Sequence, residues 1–145
     1  MIGIVVAAHG DLAQALLKTA YSVLGEEHRP VAVSVLKDDD TIAYENRFEE
    51  AVAQVQSDDG VIVLTDMFGG TPSNVGMTLH EPGRIEVLTG VNLPMVIKAV
   101  QLSSRGAHIS EAARQIHAAG MRAITVASDL LAVNPPALSE SEVAL

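Results

Sequence analysis

The chain has 145 residues, 48% of them hydrophobic, and a formal net charge of −9. That is enough for one domain with a real core, and too apolar for a disordered chain. The absence of cysteine excludes disulfides, zinc–thiolate sites and thiol catalysis. The nine Lys and Arg form no basic stripe, which argues against nucleic-acid binding, and the acidic balance disfavours an anionic membrane surface.

Apolar and polar segments alternate along the chain at strand and helix spacing. Ile2 to Ala8 reads as a buried strand, and Leu12 to Leu24 as a helix with Leu12, Ala15, Leu16, Thr19, Ala20 and Val23 on its apolar face. Gly25 is the expected helix stop. Val31 to Leu36 predicts a second strand. Asp38, Asp39 and Asp40 offer caps for a helix over Thr41 to Gln56. Gly60 to Thr65 is the third strand. Thr71 and Pro72 predict the next helix, with a capping hydroxyl and a proline at its first position, running to Leu79.

After a turn at Glu81-Pro82-Gly83, Arg84 to Thr89 reads as a fourth strand, with Ile85 and Val87 facing one way. Asn92-Leu93-Pro94 opens a helix to Ser103. Ser110 to Ala119 is a further helix, ended by Gly120. Arg122 to Ala127 reads as a last short strand. The tail from Asn134-Pro135-Pro136 to Leu145 is expected to be loose, so the domain spans 1–130 and the tail 131–145. Two Phe, two Tyr and no Trp leave an aliphatic core, which suits a parallel sheet covered on both faces. Strands alternating with helices predict βαβ units, a mainly parallel sheet and right-handed crossovers. A flavodoxin-like order 2-1-3-4 sets strands one and three side by side at the switch point, where ligands bind.

His9 ends the first strand and Asp66 follows the third, so that order brings them to adjacent strand ends. Neutral imidazole is a nucleophile near pH 7. One ring nitrogen attacks while the other donates to a fixed acceptor, for which Asp66 is the candidate. Gly69-Gly70-Thr71-Pro72 supplies a turn in which backbone N–H groups approach an anion, a helix start aimed at the same place, and the Thr71 hydroxyl. No lysine or Walker pattern accompanies this turn, so it is not a nucleotide P-loop. Each signal is weak alone, since a strand-end histidine is usually a turn residue and an aspartate there is often a cap. Together, in order on an α/β pattern, they point to phosphoryl chemistry without metal or cofactor.

His28, His80, His108 and His117 read as surface or structural residues, and Asp38 to Asp40 lacks calcium-loop spacing. No stretch approaches the ~18 apolar residues of a bilayer span. The N-terminal run lacks a basic flank and stops at His9, too short for a secretory signal. A cytosolic protein is therefore expected.

Three segments resemble the IIA domain of the mannose family of the bacterial phosphotransferase system. They are Ile2 to Asp11, Thr65 to Asn74 (Thr-Asp-Met-Phe-Gly-Gly-Thr-Pro-Ser-Asn), and Leu88 to Met95 (Leu-Thr-Gly-Val-Asn-Leu-Pro-Met). The resemblance covers roughly residues 1–130. It implies that His9 accepts a phosphoryl group from the phosphorylated carrier HPr and passes it to a IIB domain for sugar uptake through membrane IIC and IID subunits. It implies that Asp66 orients His9 and that Gly69, Gly70 and Thr71 form the phosphate-side loop. It also implies a homodimer that exchanges an antiparallel last strand, matched here by Arg122 to Ala127. No IIB domain follows in this chain. Three other readings stand beside this one: a regulatory module whose His9 phosphorylation controls a partner protein, a flavodoxin-like binder of a small anion or nucleotide, and a related dihydroxyacetone-kinase phosphotransfer domain, which shares the fold and the histidine but is not expected to carry this Gly-Gly-Thr-Pro-Ser-Asn form.

Overall fold

The computed structural model describes residues 1–25 and 29–133. His28 and the tail from Asn134 lie outside them. Four strands and six helices follow in the order β1 (Gly3–His9), α1 (Leu12–Leu24), β2 (Val31–Val35), α2 (Thr41–Val55), β3 (Val61–Thr65), α3 (Thr71–Leu79), β4 (Ile85–Leu88), α4 (Leu93–Ser103), α5 (Ile109–Arg122) and α6 (Ala127–Val133). The sheet order is β2-β1-β3-β4, and every pairing is parallel. This is the expected flavodoxin-like order, with β1 and β3 adjacent.

β1 up to Ala8 and β3 up to Leu64 are apolar, as suits central strands that helices cover on both faces. Ile4, Val6, Ala8, Ile62 and Leu64 pack with α1, α4 and α5. Val5, Ala7, Val33, Val61 and Val63 pack with Tyr44 and Phe48 of α2 and Val75 of α3. Each large aliphatic side chain removed from water contributes roughly 1.5–3 kcal/mol, so the two clusters fix both helical layers against the sheet. Among the described residues no helix is long and apolar enough to cross a membrane.

Local signals behave largely as their chemistry dictates. Asp40 caps α2 by accepting from the Ile42 N–H, and Asn92 caps α4 by accepting from the Met95 N–H at 3.1 Å. At the outer edge of the sheet, Arg47 Nη2 donates to the Ser34 carbonyl at 3.0 Å and to Asp39 Oδ2 at 2.8 Å. Asp39 Oδ2 also accepts from the Leu36 N–H.

Four expectations are corrected. The buried stripe of α1 is Ala13, Leu17 and Ala20, while Leu12 and Val23 are exposed. Leu12 opens the helix and lies outside the core. Thr71 is not the cap of α3: Gly70 holds that position, and Thr71 is already helical. Gly120 does not end α5, which continues to Arg122. A Cβ at Gly120 would stand 2.6 Å from Met95 Cγ, so the glycine permits close approach of α5 to α4 rather than termination.

Arg122 to Ala127 is not a strand. Arg122 closes α5, Ala127 opens α6, and Ile124 and Val126 between them are exposed. A strand exists only as part of a hydrogen-bonded ladder, and among the described residues no strand lies alongside the segment.

Candidate functional site

The site forms at the carboxyl ends of β1 and β3. Strand alternation sends Val5, Ala7 and then His9 to the α2–α3 face of the sheet. β3 ends at Thr65, and Asp66 follows at the head of the turn into α3. Adjacency of the two strands brings their ends together. His9 Nδ1 lies 2.6 Å from Asp66 Oδ2, and the same oxygen accepts the His9 main-chain N–H at 2.9 Å. Asp66 Oδ1 accepts the Met67 N–H at 2.9 Å. Burial acts to raise the Asp66 pKa, but the hydrogen bonds from His9 and from the Met67 main chain outweigh it and hold the carboxyl below its ordinary value.

An ionised Asp66 makes Nδ1–H the ring's donor. Nε2 is then the nitrogen with a free lone pair, on a side chain that is 46% exposed. The imidazole is thus oriented by Asp66, with its Nε2 side turned away from that contact.

The glycine turn closes against it. Gly69 has a φ of 86°, a conformation side chains disfavour. A Cβ on Gly70 would stand 2.9 Å from His9 Cε1, so only glycine lets the main chain pass this close to the ring. Ser73 stitches the turn to the helix: its hydroxyl accepts from the Gly69 N–H at 2.9 Å and donates to the Gly70 carbonyl at 3.0 Å. The first intrahelical bond of α3 is Asn74 N–H to Gly70 O. The N–H groups of Thr71 and Ser73 therefore have no acceptor within the helix, and Pro72 has no N–H. This positive end of α3 suits a transferring phosphoryl group.

The structure brings His9, Asp66 and Gly70 together, with Thr71 exposed at the start of α3. It gives Gly69 a different bond from the one expected, since its N–H is already taken by Ser73. Two features escaped the sequence reading. One is Ser73, whose signal is a hydroxyl four residues after a turn glycine. The other is the rim, where Leu12, Leu36, Met67 and Phe68 are exposed, Phe68 at 77%. Exposed Asp11, Asp38 and Asp40 and one cation, Lys37, lie in the same loops. Among the described residues no three His, Asp or Glu are grouped to hold a metal ion.

Comparison with known proteins gives a consistent result. Residues 3–117 match the family described as PTS system fructose IIA component. The PTS system fructose-specific EIIA component of Bacillus subtilis strain 168 is 30% identical over 103 residues, which cover 70% of each chain. The PTS system mannose-specific EIIAB component of Escherichia coli strain K12 is 30% identical over 100 residues, 68% of this chain but 31% of that one. In three dimensions, the phosphotransferase system component EIIA from Streptococcus agalactiae superposes with a TM-score of 0.79 at 25% identity, covering 89% of this chain and 99% of that one.

Proposed function

The chain belongs to the fructose/mannose IIA family of the phosphotransferase system, and on that premise we propose that it is a cytosolic phosphocarrier with His9 as the phosphoryl acceptor. The observation that carries this reading is the 2.6 Å contact between His9 Nδ1 and Asp66 Oδ2. It leaves Nε2 as the attacking atom. As the Nε2–phosphorus bond forms, the bond from phosphorus to the donor's nitrogen breaks, and the donor ring recovers that electron pair. The proton on His9 Nδ1 stays in place, and Asp66 balances the positive charge that develops on the ring. The N–H groups of Thr71 and Ser73 and the Thr71 hydroxyl face the charge on the phosphoryl oxygens. Such transfer is mostly positioning and charge stabilisation, which these groups supply.

The donor is phosphorylated HPr and the acceptor a IIB domain, and the chain serves sugar uptake. The rim supports a protein donor, because its apolar side chains fit a docking surface and its aspartates fit a basic partner. The protein acts as a homodimer, with the exposed, β-prone Ile124-Thr125-Val126 as the exchanged strand.

The test is phosphorylation of the purified protein with phosphoenolpyruvate, enzyme I and HPr, followed by site mapping and addition of a IIB domain. One acid-labile phosphate on His9, dependent on HPr and discharged by IIB, is the expected result. No phosphate on folded protein with charged HPr overturns the reading. Phosphorylation without transfer to IIB favours the regulatory module instead.

A further inference from the structure

Two consecutive glycines give a turn more conformational freedom than any other pair of residues. Yet Gly69-Gly70 is the segment that borders the His9 ring, since a Cβ on Gly70 would stand 2.9 Å from His9 Cε1. Cε1 is bonded to both ring nitrogens, so main chain at this point borders Nε2 as well as Nδ1. Asp66 holds the ring at Nδ1, and the side chain is partly exposed. The second border of the ring is therefore only as firm as the turn that forms it.

α3 holds that turn from inside the fold. Ser73 is buried. Its hydroxyl accepts from the Gly69 N–H at 2.9 Å and donates to the Gly70 carbonyl at 3.0 Å, so one side chain grips both glycines. Asn74 adds its main-chain N–H to the Gly70 carbonyl at 2.9 Å and its side-chain amide to the Gly69 carbonyl at 3.4 Å. This departs from ordinary helix capping, in which a cap side chain accepts from the N–H groups of the first turn. In a capping box the third helical residue also reaches back, to the N-cap N–H. Here the N-cap is Gly70 and α3 has no side-chain cap. Ser73, the third helical residue, reaches one position further back, to Gly69. The entry of α3 is thus fixed while the N–H groups of Thr71 and Ser73 keep no side-chain oxygen over them.

We propose that Ser73 is a positioning residue for phosphoryl transfer: its buried hydroxyl clamps the Gly69-Gly70 turn, and through Gly70 it sets His9 Nε2 against the open N–H groups at the start of α3. The consequence for transfer rests on the reading of His9 as acceptor, while the clamp on the turn does not. Without the hydroxyl the Gly69 N–H loses its acceptor, the glycine pair regains freedom, and the ring loses its firm border at Cε1. A serine that served the core alone would change folding and leave the ring where it is.

The experiment compares wild type with Ser73→Ala and with the near-isosteric Ser73→Cys, whose sulfur is only a weak hydrogen-bond acceptor. In the unphosphorylated protein, NMR follows the exchange of the Gly69 amide and the proton–proton contact between His9 Hε1 and the Gly70 α-proton that stands in place of a Cβ. Single-turnover phosphorylation over a range of HPr concentrations separates the maximal rate from donor affinity. In both variants the Gly69 amide is expected to exchange about 10-fold faster and the His9–Gly70 contact to weaken. The maximal transfer rate falls by about 10-fold, with half-saturation unchanged within about two-fold. Ser73→Cys decides the matter if Ser73→Ala does not fold. A folded variant that keeps the His9–Gly70 contact, or that keeps the maximal rate, overturns the proposal even if its thermal midpoint falls, and leaves Ser73 a core residue. If the wild type accepts no phosphoryl group, the phosphocarrier reading fails, while the amide exchange and the His9–Gly70 contact still decide the clamp.

Discussion

The main-chain N–H and the ring Nδ1 of His9 end on the same oxygen of Asp66, at 2.9 and 2.6 Å. One carboxylate oxygen therefore fixes both the end of β1 and the orientation of the imidazole. Because Nδ1 is engaged, Nε2 is the ring nitrogen left without this contact, and an ionised Asp66 favours the Nδ1–H tautomer.

Asp66→Asn tests that dependence. The amide fits the same space, but it no longer holds the Nδ1–H tautomer by charge or balances the ring as it becomes positive. Phosphorylation of His9 from HPr is expected to fall by about 100-fold or more, with the fold intact by circular dichroism. An unchanged single-turnover rate would remove Asp66 from the mechanism.

The Asp66 carboxyl is held below its ordinary range, with burial opposing and the hydrogen bonds from His9 and Met67 prevailing. A carboxyl lowered by folding stabilises the native state above its unfolded value, about pH 4. That contribution is lost as pH falls through the lower folded value. Urea unfolding across the acid range should therefore show the wild type losing more stability below about pH 4 than Asp66→Asn does. Parallel curves would mean that Asp66 is not coupled to folding.

Gly70→Ala places a methyl 2.9 Å from His9 Cε1. The φ of Gly70 is ordinary for alanine, so the effect falls on the ring rather than on the backbone. The imidazole must shift, and transfer is expected to slow by about 10-fold or more with a stability change below ~1 kcal/mol. Paired measurement of phosphorylation rate and thermal unfolding checks this; a normal rate would mean that the ring tolerates the displacement.

Phe68 is 77% exposed beside the site, so it contributes little to folding. As part of a docking rim it should matter for the donor. Phe68→Ser is predicted to weaken HPr binding by roughly 10-fold, as loss of an aromatic anchor does, without lowering the thermal midpoint. Titration calorimetry against HPr decides it, and unaltered affinity would place the docking surface elsewhere.

Much of this was legible in the sequence because the signals are local or periodic. The apolar runs of β1 and β3 mark central strands, and Asp40 and Asn92 cap the helices their positions suggested. The pairing of His9 with Asp66 followed from strand order. What was not legible depends on partners distant in sequence. Gly120 reads as a helix stop until Met95 is seen against it. Ile124 to Val126 has strand composition, but a strand needs a neighbour, which composition does not supply. Tyr44 reads as one aromatic on a helix face, and only the folded core buries its hydroxyl without a partner.

The two outer edges of the sheet are not equivalent. At β2, Arg47 occupies the Ser34 carbonyl and pins the following loop through Asp39, so a charged side chain stands where an incoming strand would bond. β4, at the other end, is held by main chain instead: Ile85 exchanges two backbone hydrogen bonds with Glu81, at 2.8 and 3.0 Å. Both margins of the sheet are thus partly occupied from within the chain, which blunts them against unprogrammed strand addition.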